Sequence, residues 1–84
     1  MITIFYFASL REQLNRASEQ LDCPEGVNTV GEMRQWLGQR GSPGAQVLHQ
    51  DALVMMSLNQ AMTDELARIS DGDEIAFFPP VTGG

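Results

Sequence analysis

The sequence predicts an α+β fold, a mixed sheet packed on one main helix and followed by an extended C-terminal tail. Three observations carry this. Apolar and β-branched residues alternate near the two ends, in MITIFYFA at the start and in EIAFF at residues 74–78, which is the period of half-buried strands. Between them lies one well-signalled helix, opened at Thr29 and stopped by Gly41 and Pro43. After Phe78 come Pro79, Pro80, Val81, Thr82, Gly83 and Gly84, which follow neither pattern.

In the first strand Ile2, Ile4 and Tyr6 share one face, and Thr3, Phe5 and Phe7 the other. SLREQLN reads as a short helical piece and SEQLDC as a second strand, joined locally to the first. Cys23, beside Pro24, is expected at the half-buried end of that strand, with no nearby histidine or cation to activate it. The main helix begins with a capping box: Thr29 caps the first turn and Glu32 reaches back. Val30, Met33 and Leu37 then recur on one face, with Trp36 at its edge, and read as core. PGAQVLHQD is a loop or a single helical turn, and its His49, the one histidine, has no companions for a metal site. LVMMSLN is a third strand with Val54, Met56 and Leu58 on one face, and QAMT a short strand or turn. Asp71-Gly72-Asp73 is a tight turn in which Gly72 takes a positive φ. In the last strand Ile75 and Phe77 face one way, Ala76 and Phe78 the other. Two strands joined locally, one helix and further strands suit a sheet gripping a helix, the ubiquitin-like β-grasp. Ile2, Ile4, Tyr6, Val30, Met33, Leu37, Val54, Met56, Leu58, Ile75 and Phe77 are the expected core.

Eighty-four residues make one domain with a radius of gyration of about 12 Å. It divides into a body, residues 1–78, and a tail, residues 79–84. The single cysteine excludes an internal disulfide and fits a reducing compartment. The start lacks the basic region of a signal peptide, and the apolar run Ile2 to Leu10 is far shorter than the ~20 residues that span a bilayer. A cytoplasmic protein with no membrane contact is expected. The net charge is −6, and all five cations are arginines: Arg11, Arg16, Arg34, Arg40 and Arg68. Such a surface repels phosphate backbones, so no nucleic-acid partner is expected. It favours a partner with a basic face, unless the acidity serves only solubility. Without lysine, the chain has no side-chain amine for a Schiff base or an isopeptide bond.

Spacing supports no Ser/His/Asp or Cys/His constellation, and the glycines form no phosphate loop. Asp64, Glu65, Asp71, Asp73 and Glu74 cluster before the last strand, either as a solvated edge or as a docking surface for a basic partner. The tail carries more. Pro79 and Pro80 cannot donate to a ladder, so the last strand stops at Phe78. Paired prolines favour extended geometry, and Gly83 and Gly84 fit a channel too narrow for a side chain. Extended, residues 79–84 reach roughly 20 Å. A carboxylate on Gly84 is suited to attack the α-phosphate of ATP, which yields an acyl-adenylate open to sulfur or amine nucleophiles. A frayed terminus is the plain alternative.

The ending DGDEIAFFPPVTGG, with FYFASLRE near the start and LNQ in the middle, resembles the molybdopterin synthase small-subunit family over essentially the whole chain. The resemblance implies a β-grasp sulfur carrier that binds no cofactor and no metal itself. An E1-like adenylyltransferase would use ATP to adenylate Gly84, and a sulfur donor would convert it to a thiocarboxylate. The loaded tail, with Pro79, Pro80, Val81, Thr82 and Gly83 as its passage, would enter the large subunit of a heterotetramer. There it would give sulfur to cyclic pyranopterin monophosphate, building the molybdopterin dithiolene. Phe7 and Phe78, on strand faces turned away from the helix, and Met62, which follows the third strand, are expected to form an apolar docking patch at the tail's base. Related carriers with the same ending, for thiamine thiazole or as ubiquitin-like modifiers, stay open, as does an interaction module with an inert tail.

Overall fold

The computed structural model describes residues 1–49 and 51–80. In chain order it contains β1 (Ile2–Tyr6), α1 (Ala8–Leu14), β2 (Ser18–Leu21), α2 (Val30–Gly38), α3 (Gly44–Val47), β3 (Met55–Leu58), β4 (Ala61–Thr63) and β5 (Glu74–Phe78). The strands form one sheet in the order β2-β1-β5-β3-β4. At its centre β1 and β5 run parallel, and every other neighbouring pair is antiparallel. This is the expected β-grasp, with a radius of gyration of 11.8 Å.

Strand alternation decides which face meets the helix. Ile4 pairs with Ile75, which pairs with Leu58; Tyr6 pairs with Phe77, which pairs with Met56. These side chains meet Val30, Met33 and Leu37 of α2 in one core, completed by Ile2, Leu10, Val47, Leu48 and Val54. Ten of the eleven expected core residues are buried; Leu58, at the end of β3, is half-buried.

The start of α2 departs slightly from expectation. The Thr29 hydroxyl accepts from the Glu32 amide at 3.1 Å, as a cap should. Glu32, however, accepts from the amide of Asn28, one residue earlier, at 2.9 Å. The backbone on both sides of Thr29 is tied to the facing segment, Val30 N–H to the Ala67 carbonyl and Ile69 N–H to the Asn28 carbonyl, which leaves the Asn28 amide toward the helix. The helix also ends earlier than expected, at Gly38, and Gly41 turns the chain at φ +95°. β2 stops at Leu21, so Cys23 lies beyond it and is exposed rather than half-buried, its thiol donating to the Val27 carbonyl at 3.2 Å. Close packing explains one glycine. A Cβ on Gly31 would meet Glu65 Cβ at 2.8 Å, because the first turn of α2 lies against the segment around residue 65.

Candidate functional site

Among the described residues, no helix covers the sheet face opposite α2. Its side chains fall into rows set by the register. One row runs Phe5, Ala76, Ser57, Met62 across β1, β5, β3 and β4. The next places Phe78 beside Met55, with Phe7 alongside, since the Phe7 amide donates to the Phe77 carbonyl at 3.1 Å. Phe7 is 49% exposed and Met62 62%; Phe5, Met55 and Phe78 are half-buried. The Phe5 and Phe7 rings stack with centroids 6.3 Å apart. Ala76 and Ser57 are buried beneath these larger neighbours. Of the sequence-derived docking residues, Phe7 and Phe78 thus sit side by side, while Met62 lies on the edge strand at the far side of the same face. These two rows contain no charged residue.

Phe78 ends β5 and leads to the tail. Pro79 is half-buried and lines a groove of about 470 Å³ with Leu10, Val47, Val54 and the 75%-exposed Leu53. Pro80 is the last described residue. Val81, Thr82, Gly83 and Gly84 lie outside the described residues.

The acidic cluster resolves into separate roles. Asp64 accepts from the Leu66 amide at 2.9 Å, and Glu65 pairs with Arg34 at 3.3 Å. Asp71 pairs with the N-terminal ammonium; their hydrogen bond lowers the carboxyl's pKa and raises the amine's. Asp73 accepts from the Ser70 amide at 2.7 Å and from Asn59 Nδ2 at 3.1 Å. Of these five carboxylates, only that of Glu74 has no partner among the described residues. Asn59 holds this corner together, since its Oδ1 also accepts from the Glu74 amide at 2.9 Å. Asn59 and Gln60 both have positive φ, 51° and 71°, as a two-residue hairpin turn between β3 and β4 requires.

Two clusters buttress the body, and sequence reasoning missed both. Glu19 on β2 accepts from the Tyr6 hydroxyl at 2.7 Å and from Arg40 at 2.9 and 2.8 Å, with Arg16 at 3.0 Å. Arg40 also lies over the Trp36 ring, 5.3 Å from its centre. Arg34 is only 5% exposed. Its guanidinium donates to the carbonyls of Leu48 at 3.2 Å, His49 at 2.7 Å and Ala52, tying the segment before β3 to α2. His49 Nδ1 accepts from the Asp51 amide at 3.1 Å.

Residues 4–84 match the ThiS family. The chain is 36% identical over 84 residues, the full length of both proteins, to the molybdopterin synthase sulfur carrier subunit of Haemophilus influenzae. Among solved structures it is similar to SAMP1, small archaeal modifier protein 1, from Haloferax volcanii, with 27% identity and a TM-score of 0.73 over 99% of this chain and 98% of that one. It shares its fold with a chain from the complex of subunits 1 and 2 of the molybdopterin-converting factor from Helicobacter pylori, with 21% identity and a TM-score of 0.66 over 99% of this chain and 97% of that one.

Proposed function

The chain belongs to the ThiS family, and on that premise we propose that it is the sulfur-carrier subunit of a molybdopterin synthase. The observation that carries the reading is a full-length match, without overhang on either side, to a sulfur carrier subunit of that enzyme. The fold supports it: an uncovered face bearing Phe5, Phe7, Met55 and Phe78 adjoins the point where β5 gives way to Pro79.

In this reading the body is a handle and the tail carries the reaction. An E1-like adenylyltransferase binds the body and joins the Gly84 carboxylate to AMP, releasing pyrophosphate. A sulfur donor displaces AMP, leaving a thiocarboxylate on Gly84. The carrier then docks on the large subunit, and the tail delivers sulfur to cyclic pyranopterin monophosphate. Pro79 and Pro80 direct the chain away from the ladder, and Val81, Thr82 and Gly83 occupy the passage. Docking through the open face leaves the α2 side free. The H. pylori relative of this fold is itself found in a complex of two subunits. No helix among the described residues is long and apolar enough to cross a membrane, and a cytoplasmic site of action fits the reading.

Incubation with the E1-like enzyme, ATP and a sulfur donor tests it. Intact mass should rise by the exchange of one oxygen for sulfur, and the product should form molybdopterin with the large subunit. The likeness to a small archaeal modifier protein favours a second reading, attachment of Gly84 to lysines of other proteins. Higher-mass conjugates in place of the sulfur exchange would select it.

A further inference from the structure

The open face is not flat. A depression of about 350 Å³ is lined by Phe5, Phe7, Ser57, Gln60, Glu74 and Ala76. Its floor forms where two small residues, Ala76 and Ser57, are neighbours in the register. The stacked Phe5 and Phe7 rings make one wall. Glu74, two residues before Ala76 and on the same face, stands at the end away from the tail.

Building on the docking reading above, we propose that this depression receives an arginine side chain of the protein that docks on the sheet, its stem along the phenylalanines and its guanidinium on Glu74. Glu74 is the one carboxylate of the acidic cluster left without a partner among the described residues. An apolar side chain alone would bury that carboxylate uncompensated, which is strongly unfavourable. An anion would be repelled. What fits is a side chain that is apolar along its length and cationic at its tip. Arginine suits better than lysine, because its planar guanidinium stacks on aromatic rings and grips a carboxylate with two parallel hydrogen bonds. The Gln60 amide oxygen and the Ser57 hydroxyl can accept further N–H groups. Glu74 and Phe78 are four residues apart on β5, about 13 Å. A cation at one end and an aromatic anchor at the other fix the rotation of the carrier on its partner, and so the direction in which the tail enters.

The test is calorimetric titration of the whole protein with the purified large subunit over a range of salt. Glu74→Gln should weaken binding about tenfold or more, as truncating one partner of a desolvated charge pair does, and flatten its salt dependence. Ala76→Leu, which fills the depression, should weaken it comparably; Glu74→Lys should do so without steric change if Ala76→Leu proves unstable on melting. Phe78→Ser reports on the face as a whole. If Glu74→Gln and Glu74→Lys bind like wild type while Phe78→Ser is weakened, the arginine site is wrong and the docking face stands. If Ala76→Leu weakens binding and Glu74→Gln does not, an apolar side chain fills the depression, which also overturns the proposal. If no variant matters, Phe78→Ser included, the docking reading itself falls.

Discussion

The Tyr6 hydroxyl donates a 2.7 Å hydrogen bond to the Glu19 carboxylate, joining the buried face of β1 to the edge strand β2. Burial by itself would raise the pKa of Glu19, but hydrogen bonds from Arg40 and Tyr6 outweigh it and hold the value at about 2. The same burial and the bond to Glu19 push the Tyr6 phenol up. A carboxyl with a folded pKa below its unfolded value of about 4.3 adds stability that is present above that pH and lost as pH falls through the folded pKa. Glu19→Gln should therefore destabilise the body by about 1–3 kcal/mol at neutral pH. The gap from wild type should close between about pH 4.3 and pH 2. Denaturant titrations at neutral pH and near the lower limit check this, and a gap that does not change with pH would refute it.

Arg34 gives a second expectation. Arg34→Met keeps the length of the stem but strips hydrogen bonds from the carbonyls of Leu48, His49 and Ala52. The expected cost is about 2–4 kcal/mol, or roughly 10 °C or more in melting temperature for a domain this small. The loss should hardly change with salt, since a buried site is weakly screened. A melting shift under two degrees would mean that water replaces the guanidinium.

The docking face is tested by contrast. Phe78→Ser, at the root of the tail, should weaken binding to the large subunit about 30-fold, the scale of a central aromatic anchor, and cost the isolated domain no more than about 1 kcal/mol. Met62→Ser, on edge strand β4, should weaken it by less than tenfold. Equal effects at the two positions would place the centre of the interface elsewhere.

The terminus allows the sharpest test. Deleting Gly84 leaves a carboxylate on Gly83, displaced by about 3.5 Å. Reacting atoms must approach within about 3–3.5 Å, so molybdopterin formation should fall at least a hundredfold. One residue added after Gly84 should do the same. Gly83→Ala should impair adenylation or transfer at an unchanged melting temperature, and a drop of several degrees would make the tail a packed element.

The strands and main helix were legible because their signals are local: alternation in β1 and β5, the Thr29 cap, and Val30, Met33 and Leu37 one turn apart. The open face followed from the same alternation, which put Phe7 and Phe78 on the side away from the core. Arg34 was missed although it sits four residues after Val30, on the buried stripe. A pattern read in apolar residues passes over a charge whose partners, the carbonyls at 48, 49 and 52, are visible only after folding. Glu19 escaped for the same reason, since Tyr6, Arg16 and Arg40 converge on it from three separate segments. The acidic cluster looked uniform as letters, yet four of its five carboxylates found different partners, and Glu74 was singled out as the one left over.

The parallel pairing of β1 with β5 has a consequence for biosynthesis. Thr3 lies beside Glu74 and Ile4 beside Ile75, about seventy residues apart in the chain. On the ribosome β1, α1, β2 and α2 are made long before the strand that joins the two halves of the sheet, and closing so long a loop is the slow part of such a topology. That same late strand supplies Ala76 and Phe78 to the open face and leads directly into the tail. A chain that stops before β5 therefore has neither Phe78 nor the tail. On the proposed reading, closing the centre of the sheet and becoming ready for loading arrive together.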